Sequence, residues 1–181
     1  MIDVVLNEDE IREADAYAEQ VERETAARRA APTQVGIRRS QSWGNKMGYR
    51  AQRAFCAALG IRWQPKAAFD GPNVGSIYKV RGSQRRAGIV AALKVTERDR
   101  DDLMFVKVTS EDKIAFRLEG WVIGRDAKRP EWLRDHGYPS YTVPDSALNP
   151  MATLPIDSSV TIWRKPAAGE GGAVPVENKL A

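Results

Sequence analysis

The chain has 181 residues, 43% of them hydrophobic and 29% charged, with 28 Lys/Arg against 24 Asp/Glu. That is the make-up of one folded domain with tails, large enough to bury most of a core. No apolar run approaches the roughly 20 residues of a membrane span, a single Cys and a single His leave no intrachain disulfide or Cys/His zinc site, and the start MIDVVLNEDE lacks the basic opening of a secretory signal, so a cytoplasmic protein is expected.

The first predicted helix is capped by Asn7, with Glu10 completing a capping box. Its apolar face runs through Ile11, Ala14, Ala18, Val21 and Thr25, and its other face carries Glu and Arg, as a solvated surface does. Residues 30–42 read as a loop, with Pro32, Gly36, Arg38-Arg39 and a Ser-Gln-Ser run. A second helix is expected over 44–59, with Met47, Ala51, Ala54, Phe55, Ala58 and Leu59 as its stripe and Gly60 as its stop. Cys56 lies inside that stripe and is expected to be a buried thiol. Strand patterns follow over 77–81, 88–95, 103–109 and 113–123, the last alternating through Ile114, Phe116 and Leu118. Prolines open two predicted short helices, at 130–135 and 144–148. From Pro166 the Ala/Gly/Pro/Glu composition reads as a flexible tail. Helices followed by a mostly antiparallel run of strands point to an α/β or α+β layered fold.

Charge is distributed unevenly along this plan. Residues 25–96 carry fourteen Lys/Arg and one acid, Asp70, whereas the rest holds fourteen cations against twenty-three acids. A segment near +13 between ends near −9 suggests a polyanionic partner, because clustered cations release counterions when they neutralise phosphates. Arg38, Arg39, Lys46, Arg50, Arg53, Lys79, Arg81, Arg85 and Arg86 are the candidate contacts, and Trp43, Tyr49 and Trp63 interleave with them where bases could stack. Trp121 and Trp132 read as core, with Trp63 balanced between core and stacking. His136 has no nucleophile beside it in the sequence. Asp99, Asp101 and Asp102 lie among arginines without a loop glycine, as in an inter-strand loop and unlike a calcium site.

Several short motifs occur in a familiar order. Gly48-Tyr49-Arg50-Ala51-Gln52-Arg53-Ala54-Phe55 lies on the second helix, and Phe69-Asp70-Gly71-Pro72-Asn73-Val74-Gly75 precedes Tyr78-Lys79-Val80-Arg81. Gly120-Trp121-Val122-Ile123-Gly124, Pro130-Glu131-Trp132-Leu133 and Val143-Pro144-Asp145-Ser146-Ala147-Leu148 come later. Over about residues 44–151 this layout resembles the PD-(D/E)XK, restriction-endonuclease-like nucleases, in particular their small phage-type members. The resemblance implies a central mixed sheet flanked by helices over 44–151, preceded by a helical extension and basic loop (1–43) and followed by an extension and tail (152–181).

Members of that family hold Mg²⁺ through carboxylates on a turn, a strand and often a helix, with a base two residues beyond the strand acid. Carried over, the turn acid is Asn73, the strand acid Lys79 and the helix acid Gln52, and the final basic position is Arg81. Two cations facing a divalent ion oppose its binding, so no metal, no cofactor and no catalytic residue is expected here. The leading expectation is a degenerate nuclease-like protein binding nucleic acid, DNA first, through a basic cleft. Two alternatives stay open. One is an active Mg²⁺-dependent nuclease using Asp70 and a relocated acid such as Glu97. The other is a structural or protein-interaction component of a larger, phage-type assembly, docked through the carboxy-terminal tail and the acidic first helix with its apolar stripe as the interface, or dimerised through that helix.

Overall fold

The computed structural model describes residues 1–28, 38–66, 71–84, 92–135 and 138–162, the side chains of 28 and 38–45 excepted. The chain opens with β1 (Ile2–Val5), a strand too short for its alternation to register in the sequence. Helix α1 (Glu8–Arg28) follows. Its capping box forms as expected: Asn7 Oδ1 accepts the Glu10 amide at 2.9 Å and Glu10 Oε2 accepts the Asn7 amide at 3.0 Å.

Helix α2 (Arg38–Leu59) starts inside the stretch expected as loop. The breakers Pro32 and Gly36 both lie upstream of Arg38, and the Ser, Gln and Arg that follow do not resist a helix. Gly60, at φ +64°, ends α2, and the Ile61 amide reaches back to the Cys56 carbonyl at 2.8 Å.

Six strands follow: β2 (Tyr78–Gln84), β3 (Leu93–Thr96), β4 (Met104–Ser110), β5 (Ala115–Ile123), β6 (Leu133–Asp135) and β7 (Pro139–Val143), with the short helix α3 (Gly124–Ala127) after β5. The fold is a mixed α/β one. Its four-stranded sheet has the order β1-β5-β4-β2, with β2 parallel to β4 and the other pairs antiparallel. A second, antiparallel sheet has the order β3-β7-β6. The two late helices expected from proline are single 3₁₀ turns, Pro130–Trp132 and Asp145–Ala147, the first running straight into β6. The expected strand over 88–95 is seen from Leu93; its first residues and the tail from 166 lie outside the described residues.

Two cores flank the four-stranded sheet. On the first face Tyr78, Val80, Val106, Val108, Phe116 and Leu118 pack against Ala51, Ala54 and Phe55 of α2 and Ala14 and Ala18 of α1. On the second, Phe105 and Val122 pack against Leu93, Val95 and Val143 of the smaller sheet. The even alternation of β5 in sequence hides a change of face. Register shifts between Lys107 and Val108, so Leu118 pairs with Val108 but Gly120 with Lys107, leaving Glu119 as the extra residue. The bulge sends Phe116 and Leu118 to the first core and Val122 to the second.

Close approach of α2 to β2 depends on Gly82, where a Cβ would stand 2.6 Å from Ala51 Cβ and 2.9 Å from the Met47 carbonyl oxygen. Gly82→Ala is expected to destabilise the fold by about 1–3 kcal/mol. Gly48→Ala, within α2 and with nothing within 4 Å of the new Cβ, is expected to stabilise it by up to about 1 kcal/mol. Thermal melts of the two variants, shifting in opposite directions, check both.

Candidate nucleic-acid interface

The turn before β2 places three of the motif positions. Val74 bridges Tyr78, and Gly75 takes φ +57° in the tight turn between them. Asn73 then lies along the outer edge of β2 and uses its side chain as a substitute peptide. Its Nδ2 donates to the Val80 carbonyl at 2.9 Å, and its Oδ1 accepts the Val80 amide at 2.7 Å. A carboxylate could make only the second bond, because it has no donor. The Asn73 amide is thus part of the sheet edge.

Lys79 and Arg81 alternate with the Val80 face and so lie together on the second face, away from α2. Lys79 is 1% exposed and its Nζ donates to the Gly71 carbonyl at 2.7 Å. The Arg81 side chain is 39% exposed, and its Nη2 lies 3.2 Å from Oδ2 of buried Asp99. That carboxylate also accepts the Thr96 amide and hydroxyl, which holds the β3 end against β2. Gln52 is buried on α2 with its Oε1 unpartnered.

The described candidate cations of α2, Lys46, Arg50 and Arg53, are on the other side of the sheet and are already matched. Arg50 forms a two-pronged pair with Asp15, Nε to Oδ1 at 2.7 Å and Nη2 to Oδ2 at 2.6 Å. Lys46 Nζ reaches Glu19 at 2.6 Å, and Arg53 lies 3.2 Å from both Glu10 and Glu13. The Arg50 guanidinium holds the Asp15 carboxyl below its ordinary value of 3.8, and Glu19 raises the Lys46 ammonium. Among the described residues, Lys46, Arg50 and Arg53 of α2 therefore do not share a face with Lys79 and Arg81 of β2. The sheet separates the two groups, and α1 supplies acids to the first. The charged side of α1, expected as solvated surface, is in good part this counterion surface, and its apolar stripe is core at Ala14 and Ala18.

Sequence reasoning missed Lys107. It faces the second side as the register partner of Arg81, is 1% exposed, and donates from Nζ to Asp145 Oδ1 on the late 3₁₀ turn. Its place in an otherwise apolar run, Met104-Phe105-Val106-Lys107-Val108, was the available signal. A buried cation in a central strand needs a partner.

Tyr49 and Trp63, candidates for base stacking, are both buried and meet Tyr17 edge-on at centroid distances of 4.9 and 6.2 Å. Burial pushes the Tyr49 hydroxyl up to about 12 and the Cys56 thiol likewise to about 12, so the buried thiol expected from sequence is an inert one. Asp101 pairs with Lys128 and Asp102 with Arg100, consistent with the inter-strand loop expected there. The Glu97 carboxylate accepts the Tyr141 hydroxyl at 2.6 Å. The Arg38, Arg39 and Trp43 side chains and all of Asp70, Arg85, Arg86 and His136 lie outside the described residues. Among the described residues no three His, Cys, Asp or Glu side chains are grouped to hold a metal ion, and no helix is long and apolar enough to cross a membrane.

Comparison with protein-family models, with curated proteins and with solved structures finds no match in any of the three.

Asn73→Asp is expected to cost about 1–3 kcal/mol, because the Val80 carbonyl loses its donor and faces a carboxylate oxygen; urea denaturation measures the loss. The Asp15 effect has a definite pH sign. A carboxyl lowered in the folded state contributes stability that is present above its unfolded value of 3.8 and lost as pH falls through the lower folded value. The stability gap between wild type and Asp15→Asn should therefore be flat above about pH 5 and close under more acid conditions, in thermal melts across pH.

Proposed function

We propose that this chain is a non-catalytic, nuclease-like protein that binds nucleic acid, DNA first, from the second face of its sheet, where Lys79, Arg81 and Lys107 lie on adjacent strands. The observation that carries the reading is the use made of Lys79. It takes the position where the resembled nucleases have a metal-binding carboxylate, and it is buried with its ammonium on the Gly71 carbonyl. Asn73 supports the same reading, because both ends of its amide are committed to Val80. A divalent cation brought to this turn would meet an ammonium and a guanidinium in a partly desolvated setting. A phosphodiester approaching from solvent would meet Arg81, whose side chain is 39% exposed, with the favourable sign, in a contact that positions a backbone and reads no sequence. The resemblance also supports a phage origin and a cytoplasmic site of action.

The test is anisotropy of labelled duplex and single-stranded DNA across a salt series, followed by gels after Mg²⁺ or Mn²⁺ is added. The expected result is binding that weakens with salt, with the DNA left intact. Arg81→Gln is expected to weaken binding and to reduce the salt slope by about one contact. Lys46→Gln, on the opposite side, should leave both unchanged, with circular dichroism confirming that each variant is folded. Metal-dependent cleavage would overturn the non-catalytic reading, and absence of binding at low salt would overturn the nucleic-acid one.

A further inference from the structure

Lys107 is a buried cation beneath Asp145, an acid more than half exposed. Lys107 sits in a row across the second face, with Arg81 opposite it on β2 and Gly120 opposite it on β5. Gly120 has no side chain, and the segment after the 3₁₀ turn presses down there: a Cβ on Gly120 would come within 2.7 Å of the Asn149 carbonyl oxygen and 2.8 Å of Leu148 Cβ. That contact fixes the turn Asp145–Ala147 above the sheet. From the turn Asp145 extends a side chain that is 54% exposed, and one of its oxygens accepts from Lys107, which is 1% exposed. On Arg81, the register partner of Lys107, Nη2 pairs with Asp99 at 3.2 Å while the Nε–H is buried and has no hydrogen-bond partner.

We propose that Lys107 and Arg81 form a phosphate subsite for a nucleic-acid backbone, and that Asp145 occupies this subsite in the free protein as an internal stand-in for a phosphodiester oxygen. The inference rests on the nucleic-acid reading and adds a ligand position and a competitor to it. Two like charges directly opposed on adjacent strands repel, and an ammonium so fully buried is costly without an anion. Arg81 has Asp99 for this purpose, and Lys107 is served by Asp145. Asp145 meets that need from a solvent-facing turn, held by one contact to the cation. A phosphodiester has the same unit charge and can bring a second oxygen to the idle Arg81 Nε–H, while the displaced carboxylate turns into water. Exchange replaces one anion by another, so no bare cation is left in the sheet at either end of the process.

The experiment compares wild type, Asp145→Asn and the apolar pair Lys107→Met/Asp145→Leu for binding of a labelled duplex, with melts to establish folding. Asp145→Asn is expected to bind roughly tenfold more tightly with the salt slope of wild type, because the same phosphate contact forms without a competitor. The apolar pair, which removes the cation without leaving a buried charge, should lose that contact relative to wild type. Inorganic phosphate should displace the duplex from Asp145→Asn more effectively than chloride at equal ionic strength. Binding by Asp145→Asn where wild type shows none would also support the masking. Wild-type binding that Asp145→Asn leaves unchanged or weakens would overturn the subsite and spare the parent reading, as would phosphate acting no better than chloride. Failure of wild type and Asp145→Asn alike to bind would overturn both.

Discussion

One extra residue in β5 governs how this molecule is put together. Because Glu119 bulges between Leu118 and Gly120, a single strand supplies Phe116 and Leu118 to the helical core and Val122 to the core beneath the smaller sheet. An unbroken pleat would place all three on one face and leave Phe105 and the smaller sheet without the centre of their contact. The bulge also sets the glycine at position 120 beside Lys107, which lets the Leu148–Asn149 backbone descend onto the sheet and bring Asp145 over the lysine. Glu119 itself accepts the Thr109 hydroxyl at 2.7 Å, which ties the irregular strand to its neighbour.

Charge pairing follows from that layering. Along the sequence the cations form a block and the acids form the ends; in space the ends fold onto the block. Acids of α1 meet Lys46, Arg50 and Arg53 across the helix pair, and acids from the loop after β3 and the late turn meet Arg81 and Lys107. Among the described residues, much of the cationic block therefore faces acids of the same chain. What persists is an uneven quality of pairing. The Arg50–Asp15 pair is two-pronged and mostly enclosed, whereas Lys107 relies on a carboxylate more than half open to water.

The carboxy-terminal part of the described chain is tied down by a third arrangement. Asp157 is buried against the turn after Asn73, where it accepts the Ser76 amide at 2.6 Å and the Ser159 amide at 2.8 Å. Burial alone would raise its carboxyl, but these bonds outweigh burial and hold it below the ordinary value. Tyr78 completes the link, its hydroxyl donating to the Pro155 carbonyl and accepting the Asp157 amide. The turn that carries Asn73 is thus braced from both sides, which suits a structural use of that segment.

Local signals were legible in the sequence wherever the cause was local. The Asn7/Glu10 capping box, the Gly60 stop of α2 and the β-branched run of β4 each depend on a few neighbouring residues, and each stands where the pattern places it. The departure at Asn73, Lys79 and Gln52 from the carboxylates of the resembled nucleases is likewise a property of the letters alone. Only the tertiary structure decided which face each cation took and which acid met it. Pairs such as Arg50 with Asp15 or Lys107 with Asp145 join positions 35 and 38 residues apart, and no local period encodes a partner at that distance. The bulge at Glu119 reversed the phase of a strand whose alternation looked unbroken, because a face is defined by the neighbouring strand and not by the residue's own sequence.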